Sequence, residues 1–164
     1  MNEIKKILAP ADLSNFSKTG VRYAAGITES QGAEVIVYNV ITLEETPFPH
    51  AVEEWVATHM ELPQLKKAIE ERKKLVEKFI NENLADLATK IKIRAEVGIG
   101  VPYKKIVEKA IEERADIIVM CTHGRGGLLH MLIGSVTEQV VRRAPCPVVS
   151  VPPPREKSAA GEPA

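Results

Sequence analysis

The sequence predicts an α/β fold: one doubly wound, Rossmann-like domain in which helices cover both faces of a five-stranded parallel sheet. Three observations lead there. Short β-branched runs alternate with longer amphipathic segments, the pattern of strands joined by helical crossovers. One run, Ile117-Ile118-Val119-Met120, is apolar at every position, as a strand covered on both faces requires. The chain has 164 residues, 45% of them hydrophobic, enough for one full core and too few for two comfortable ones.

The strands fall at residues 4–9, 34–40, 91–97, 116–121 and 147–151. In the third, Ile91, Ile93, Ala95 and Val97 alternate with Lys92, Arg94 and Glu96, which predicts an edge strand with one wetter face. The first helix is read from Phe16, Tyr23, Ala24 and Ile27 at helical spacing, with Ser14 as N-cap and Gly32 as stop. A second starts near Gln64 after Pro63 and carries Leu65, Ile69, Val76, Phe79, Ile80 and Leu87 inward. Its mixed-sign run Glu70-Glu71-Arg72-Lys73-Lys74 reads as a solvated face. A third helix opens at Pro102 and buries Ile106, Val107, Ala110 and Ile111, and the last spans residues 135–143, ending before Pro145. Residues 41–62, with Pro47, Pro49, His50, Trp55 and His59, are too long for a tight connection and form either a lid-like loop or a short irregular helix. The domain spans residues 1–152. The tail at 153–164, rich in proline, alanine and charge, is expected to be disordered.

Composition narrows the partners. The 22 basic and 22 acidic side chains cancel, so no net field gathers nucleic acid or anionic lipid. Nowhere do eighteen apolar residues run together, and the amino terminus lacks the marks of a signal peptide, so a cytoplasmic location is expected. Cys121 and Cys146 lie far apart and form neither a metal pair nor a disulfide framework, which fits a reducing compartment.

Right-handed crossovers make consecutive parallel strands build outward, and a sheet covered on both faces must reverse its winding once. With strands one to three in one half and four and five in the other, the order is 3-2-1-4-5 and a crevice opens between the carboxyl ends of strands one and four. Pro10-Ala11-Asp12 follows the first of these, and Cys121-Thr122-His123-Gly124-Arg125-Gly126-Gly127 follows the other. Glycine there lets backbone N–H groups approach phosphate oxygens without a Cβ in the way. Gly134-Ser135 opens the last helix, whose N-terminus offers unpaired N–H donors to an anion. The common nucleotide fingerprints are absent: there is no P-loop lysine at its spacing, and Tyr103 and Leu129 stand where a dinucleotide fingerprint would close on glycine.

These residues resemble the universal stress protein family over nearly the whole chain. The opening Lys6-Ile7-Leu8-Ala9-Pro10-Ala11-Asp12-Leu13-Ser14 is similar to that family's first strand and turn. More specific is Met120-Cys121-Thr122-His123-Gly124, nine residues, then Gly134-Ser135-Val136-Thr137-Glu138, and finally Pro145-Cys146-Pro147-Val148-Val149. The nucleotide-binding branch is marked by Gly, two residues, Gly, nine residues, Gly and Ser or Thr, and this chain departs from it only in having Cys121 for the first glycine. The resemblance implies a protein of stress tolerance that binds ATP or another adenine nucleotide with magnesium. It implies Asp12 and the Val40 backbone at the adenosine beside Pro10 and Ala11, Met120 and Cys121 next to it, and Gly124, Gly134, Ser135, Val136 and Thr137 around the phosphates. Gly127 belongs to the same loop, and Asn39 stands where many relatives have histidine.

Blander readings stand beside these. Asp12 suits a turn or cap, and His123 a loop. Cys121 suits an inert buried thiol, and Arg125 and His130 face either phosphate or solvent. No base, nucleophile or metal cluster accompanies the loop, which favours binding over turnover and assigns no catalytic or metal residue. The alternatives are a slow ATPase or self-phosphorylating protein, with Ser135 or Thr137 as acceptor, and a dimeric interaction module that binds no nucleotide. The fifth strand, residues 147–151, is expected at a sheet edge, where it would pair with its own copy in a homodimer.

Overall fold

A computed structural model of the chain describes residues 3–123 and 133–154. In chain order they form β1 (Lys6–Pro10), α1 (Asn15–Gln31), β2 (Glu34–Ile41), a 3-10 turn (Leu43–Glu45), α2 (Glu53–Thr58), α3 (Pro63–Asn83), β3 (Lys92–Ile99), α4 (Pro102–Glu113), β4 (Ile117–Cys121), α5 (Ser135–Arg143) and β5 (Val148–Val151). The strands make one parallel sheet in the order β3-β2-β1-β4-β5. The winding therefore reverses between β1 and β4, where the sequence places the crevice.

Alternation along each strand builds the two cores. Ile7, Ala9, Val35, Val37 and Val119 point to one face, where Val21, Ala24 and Ala25 of α1 and Val76, Phe79 and Ile80 of α3 cover them. Leu8, Ile36, Tyr38, Ile118 and Met120 point to the other, beneath Ile106 and Ala110 of α4 and Val140 of α5. A third cluster, Ile41, Val56, Leu65 and Ile99, anchors the segment between β2 and α3 with Phe48 and Trp55 packed on it. That segment folds as a 3-10 turn and the short α2, the irregular-helix alternative of the two expected.

Helix ends follow local chemistry. The Ser14 hydroxyl accepts from the Ser17 N–H at the start of α1, and Gly32 closes the helix at φ 66°, a left-handed conformation that favours glycine. Packing turns one residue of the periodic set in α1 outward and corrects one expected to be buried in α4. Tyr23 is 53% exposed, because the buried stripe of α1 runs through Gly20, Val21, Ala24 and Thr28. Gly20 sets that stripe: a Cβ there would stand 2.9 Å from the Cys121 backbone N, so α1 lies directly on β4 and a bulky ring must face away. Ile111 is likewise 60% exposed while Ala110 beside it is buried. Leu87 lies beyond the end of α3 but still packs against the first core.

β3 is an edge strand, but its polar face is not simply wet. Arg94 donates to Glu34 (2.9 Å), Glu96 (2.8 Å) and Glu113 (2.7 Å), and Lys6 reaches Glu113 at 3.1 Å. Glu113 ends α4 and Lys6 begins β1, so this charge cluster closes the amino end of the sheet. The hydrogen bond from Arg94 holds the Glu113 carboxyl down to about 2, burial opposes, and Lys6 adds to the lowering.

Candidate functional site

At the carboxyl end of the sheet a cavity of about 520 Å³ opens over the reversal point. The turn after β1 supplies Pro10, Ala11 and Asp12, β2 supplies Val40, β4 supplies Met120 and Cys121 with His123 just beyond, and the start of α5 supplies Gly134, Ser135, Val136 and Thr137. Sequence positions more than a hundred apart thus line one space. Gly124, Arg125 and Gly127, with Gly126 and His130, lie outside the described residues.

The β1 turn is held in a sparsely populated conformation. Leu13 has φ 65°, uncommon for a branched residue, and Asp12 Oδ1 accepts from the Ser14 N–H at 3.0 Å and from its hydroxyl. The aspartate therefore caps its own turn and borders the cavity at once.

On the opposite wall, Gly134 is the N-cap of α5 and carries no side chain to cap its amides. The helix end is seated by the backbone: Gly134 N–H donates to the Thr122 carbonyl at 2.7 Å, and the Thr137 hydroxyl to the Cys121 carbonyl at 2.9 Å. Gly134 is needed for closeness rather than for an unusual φ, since φ is −67° and a Cβ would stand 3.0 Å from the Thr122 oxygen. Thr137 is 3% exposed with its hydroxyl engaged, so of the two acceptors weighed for self-phosphorylation only the exposed Ser135 has an accessible hydroxyl.

Cys121 is buried, and burial pushes its thiol up; the Asp12 charge adds to that, while the backbone N–H groups of Thr122 and His123 pull the other way. Burial and the neighbouring carboxylate thus favour the protonated thiol in the cavity wall. His123 Nδ1 shares a 2.8 Å hydrogen bond with the Thr122 hydroxyl. Burial also pushes the Tyr38 hydroxyl well above its usual range, so it stays neutral. That ring fits because position 98 on β3 is glycine: a Cβ there would collide with the Tyr38 hydroxyl.

Several lining residues were not singled out from the sequence as site residues: Ser17, Tyr38, Asn39, Thr42, Glu45, Arg72, Pro102 and Ile106. Arg72 is the instructive case. It belongs to the run expected to be solvated, yet its side chain is only 16% exposed and donates to Asn39 Oδ1 at 2.9 Å and to Glu45 at 3.2 Å. Its phase was the available signal, because Leu65, Ile69, Arg72, Val76 and Phe79 recur at intervals of three and four and put one charge on the apolar stripe. Thr42 and Glu45 likewise form a capping box, whose three-residue spacing is visible in sequence.

Comparison with known proteins adds to this geometry. A family model described as the universal stress protein family matches residues 3–152. Universal stress protein MJ0531 of Methanocaldococcus jannaschii is 33% identical over 159 residues, covering 95% of this chain and 86% of its own length. Universal stress protein MJ0577 of the same archaeon is 30% identical over 158 residues, covering 90% of this chain and 94% of its own. A solved structure of MJ0577 superposes with a TM-score of 0.70 at 29% identity, over 93% of this chain and 99% of that one. A universal stress protein solved in complex with cAMP superposes with a TM-score of 0.61 at 20% identity, over 92% of this chain and 98% of its own.

Proposed function

The chain belongs to the universal stress protein family, and on that premise we propose that it is a regulatory protein that binds an adenine nucleotide, ATP in the first place, in the cavity over the reversal point. One observation carries the reading. Among the described residues, the cavity joins an apolar slot lined by Val40, Ile106 and Met120 to the N-terminus of α5, where Gly134 carries no capping side chain. A planar base suits the slot and an anion suits the helix end, which together describe a nucleotide. A relative of the same fold has been solved with cAMP.

In this arrangement Asp12 faces the ribose, the Val40 backbone reads the base, and the amides of Ser135, Val136 and Thr137 meet the phosphates. Magnesium would enter with the nucleotide and offset the phosphate charge; among the described residues no group of three or more His, Cys, Asp or Glu side chains could hold a metal. Among the described residues no helix is long and apolar enough to cross a membrane. The β5 edge of the sheet pairs with a second copy in the same proposal, with Val149→Lys expected to yield monomers in sedimentation where wild type is dimeric.

Calorimetry and thermal melting with magnesium and ATP test the reading. A rise in Tm with ATP is expected from mass action. Asp12→Asn keeps an Oδ1 acceptor for Ser14 and removes the charge, so binding is expected to weaken about tenfold, or ~1.4 kcal/mol, while the ligand-free Tm barely moves. No heat and no shift at millimolar ATP would leave the interaction-module reading in its place.

A further inference from the structure

Three separate pieces of chain meet at the β2 end of the cavity, and one side chain ties them together. Arg72 of α3 donates one nitrogen to Asn39 Oδ1 (2.9 Å) and another to Glu45 Oε1 (3.2 Å). Asn39 in turn donates its Nδ2 to the Ala11 carbonyl at 2.8 Å, so its amide cannot turn without breaking both bonds. The second Glu45 oxygen accepts from the Thr42 N–H at 2.9 Å and the Thr42 hydroxyl at 3.2 Å. Every member of this series, Ala11, Asn39, Arg72, Glu45 and Thr42, lines the cavity.

Apolar packing does not call for arginine here. Arg72 occupies the buried stripe of α3 between Ile69 and Val76, where leucine or methionine would fill the same volume without desolvating a charge. Glu45 supplies the compensation: burial alone would raise its carboxyl, but the Thr42 N–H and the Arg72 guanidinium bring it below the usual range. The pair is therefore ionised and mutually neutralised, and its product is directional hydrogen bonding rather than a field that attracts phosphate.

We propose that Arg72 is a positioning residue that clamps residues 42–45 against the end of β2 and so sets which nucleobase the cavity accepts. Sheet order locates its action. β2 lies on the far side of β1 from β4, so Arg72 stands at the opposite end of the cavity from the α5 N-terminus. A nucleotide whose phosphates meet α5 brings its base to the Arg72 end. The selectivity rests on the nucleotide reading above; the clamp does not.

The test uses the full chain as wild type, Arg72→Met and Arg72→Lys. Hydrogen exchange followed by mass spectrometry compares residues 42–51 with residues 20–31 as an internal control, and calorimetry measures ATP and GTP. In Arg72→Met, exchange across 42–51 is expected to rise about tenfold with the control unchanged. The Kd for ATP is expected to rise about tenfold and that for GTP much less, so the ratio narrows. Arg72→Lys, able to reach one partner at a time, is expected to be intermediate. Unchanged exchange at 42–51 overturns the clamp. Equal weakening of both nucleotides overturns the selectivity, because a merely structural loss cannot tell the bases apart. Failure of wild type to bind either nucleotide ends the nucleotide reading and the selectivity with it, while exchange still decides the clamp. If Arg72→Met does not fold, Glu45→Gln cuts the ion pair, keeps an acceptor for Thr42, and faces the same readouts.

Discussion

The two ends of the sheet use charged and polar groups in opposite ways. At the amino end, Lys6, Glu34, Arg94, Glu96 and Glu113 are drawn into one cluster whose members satisfy one another. At the carboxyl end, Asp12, Asn39, Glu45 and Arg72 are also hydrogen-bonded, yet each borders a cavity, which also takes in the start of α5, where Gly134 carries no capping side chain. The same winding produces both. α4 returns antiparallel to the strands, so its last residue, Glu113, meets the strand beginnings, whereas the reversal between β1 and β4 parts the crossovers only where the strands finish. Polar residues at the closed end are expected to govern stability, and those at the open end binding.

The largest expected effect breaks the open end by packing alone. Gly→Ala within a helix ordinarily stabilises by about 0.5–1 kcal/mol. At Gly20 the sign is expected to invert to a loss of about 2 kcal/mol, because the new Cβ meets the β4 backbone at 2.9 Å. Gly26, with nothing within 4 Å, is the control and is expected to show the ordinary gain. Urea denaturation of the two variants checks this; equal gains would show that α1 can lift off β4 freely.

A smaller effect sharpens the contrast from the closed end. Glu113 is held at about 2 in the folded chain, below the ordinary carboxylate value near ~4.3, so its contribution is complete above roughly pH 5 and lost as pH falls toward 2. Glu113→Gln is expected to cost about 1 kcal/mol at neutral pH, a figure reduced for solvent screening of the cluster. The difference from wild type is expected to vanish under acid, with ATP affinity unaltered throughout. A variant that binds ATP more weakly would mean that the two ends are coupled.

The smallest effect lies at Cys121. Its buried thiol occupies the cavity wall where the family pattern has glycine, so Cys121→Gly is expected to tighten ATP about twofold, the gain limited by the backbone flexibility that glycine adds at the site. Equal or weaker affinity in calorimetry would show that the thiol does not crowd the site.

What the sequence disclosed, it disclosed through local signals. Ser14, Gly32, Pro102 and Pro145 mark helix ends by their own local chemistry, and the apolar run at Ile117 marks a strand covered on both faces whatever surrounds it. The strand order followed from crossover handedness once strands one to three were placed in one half and four and five in the other. The inward face of α1 did not, because it is set by Gly20 meeting β4, a contact made a hundred residues later in the chain. Arg72 was obscured for a related reason: charge composition describes a run as a whole, whereas helical phase singles out the one member that turns inward.

Tyr38 and Gly98 have a consequence for descent. The Tyr38 hydroxyl fills the volume that a side chain at 98 would need, so these neighbours on β2 and β3 cannot vary independently. A lineage that enlarges position 98 must first shrink position 38, and in doing so it alters the wall of the cavity. Change at an edge strand, where substitution is ordinarily cheap, is thereby tied to change in the shape of the cavity. Among relatives, an aromatic residue at 38 is expected to travel with glycine at 98, and the pair to be replaced together wherever the ligand differs.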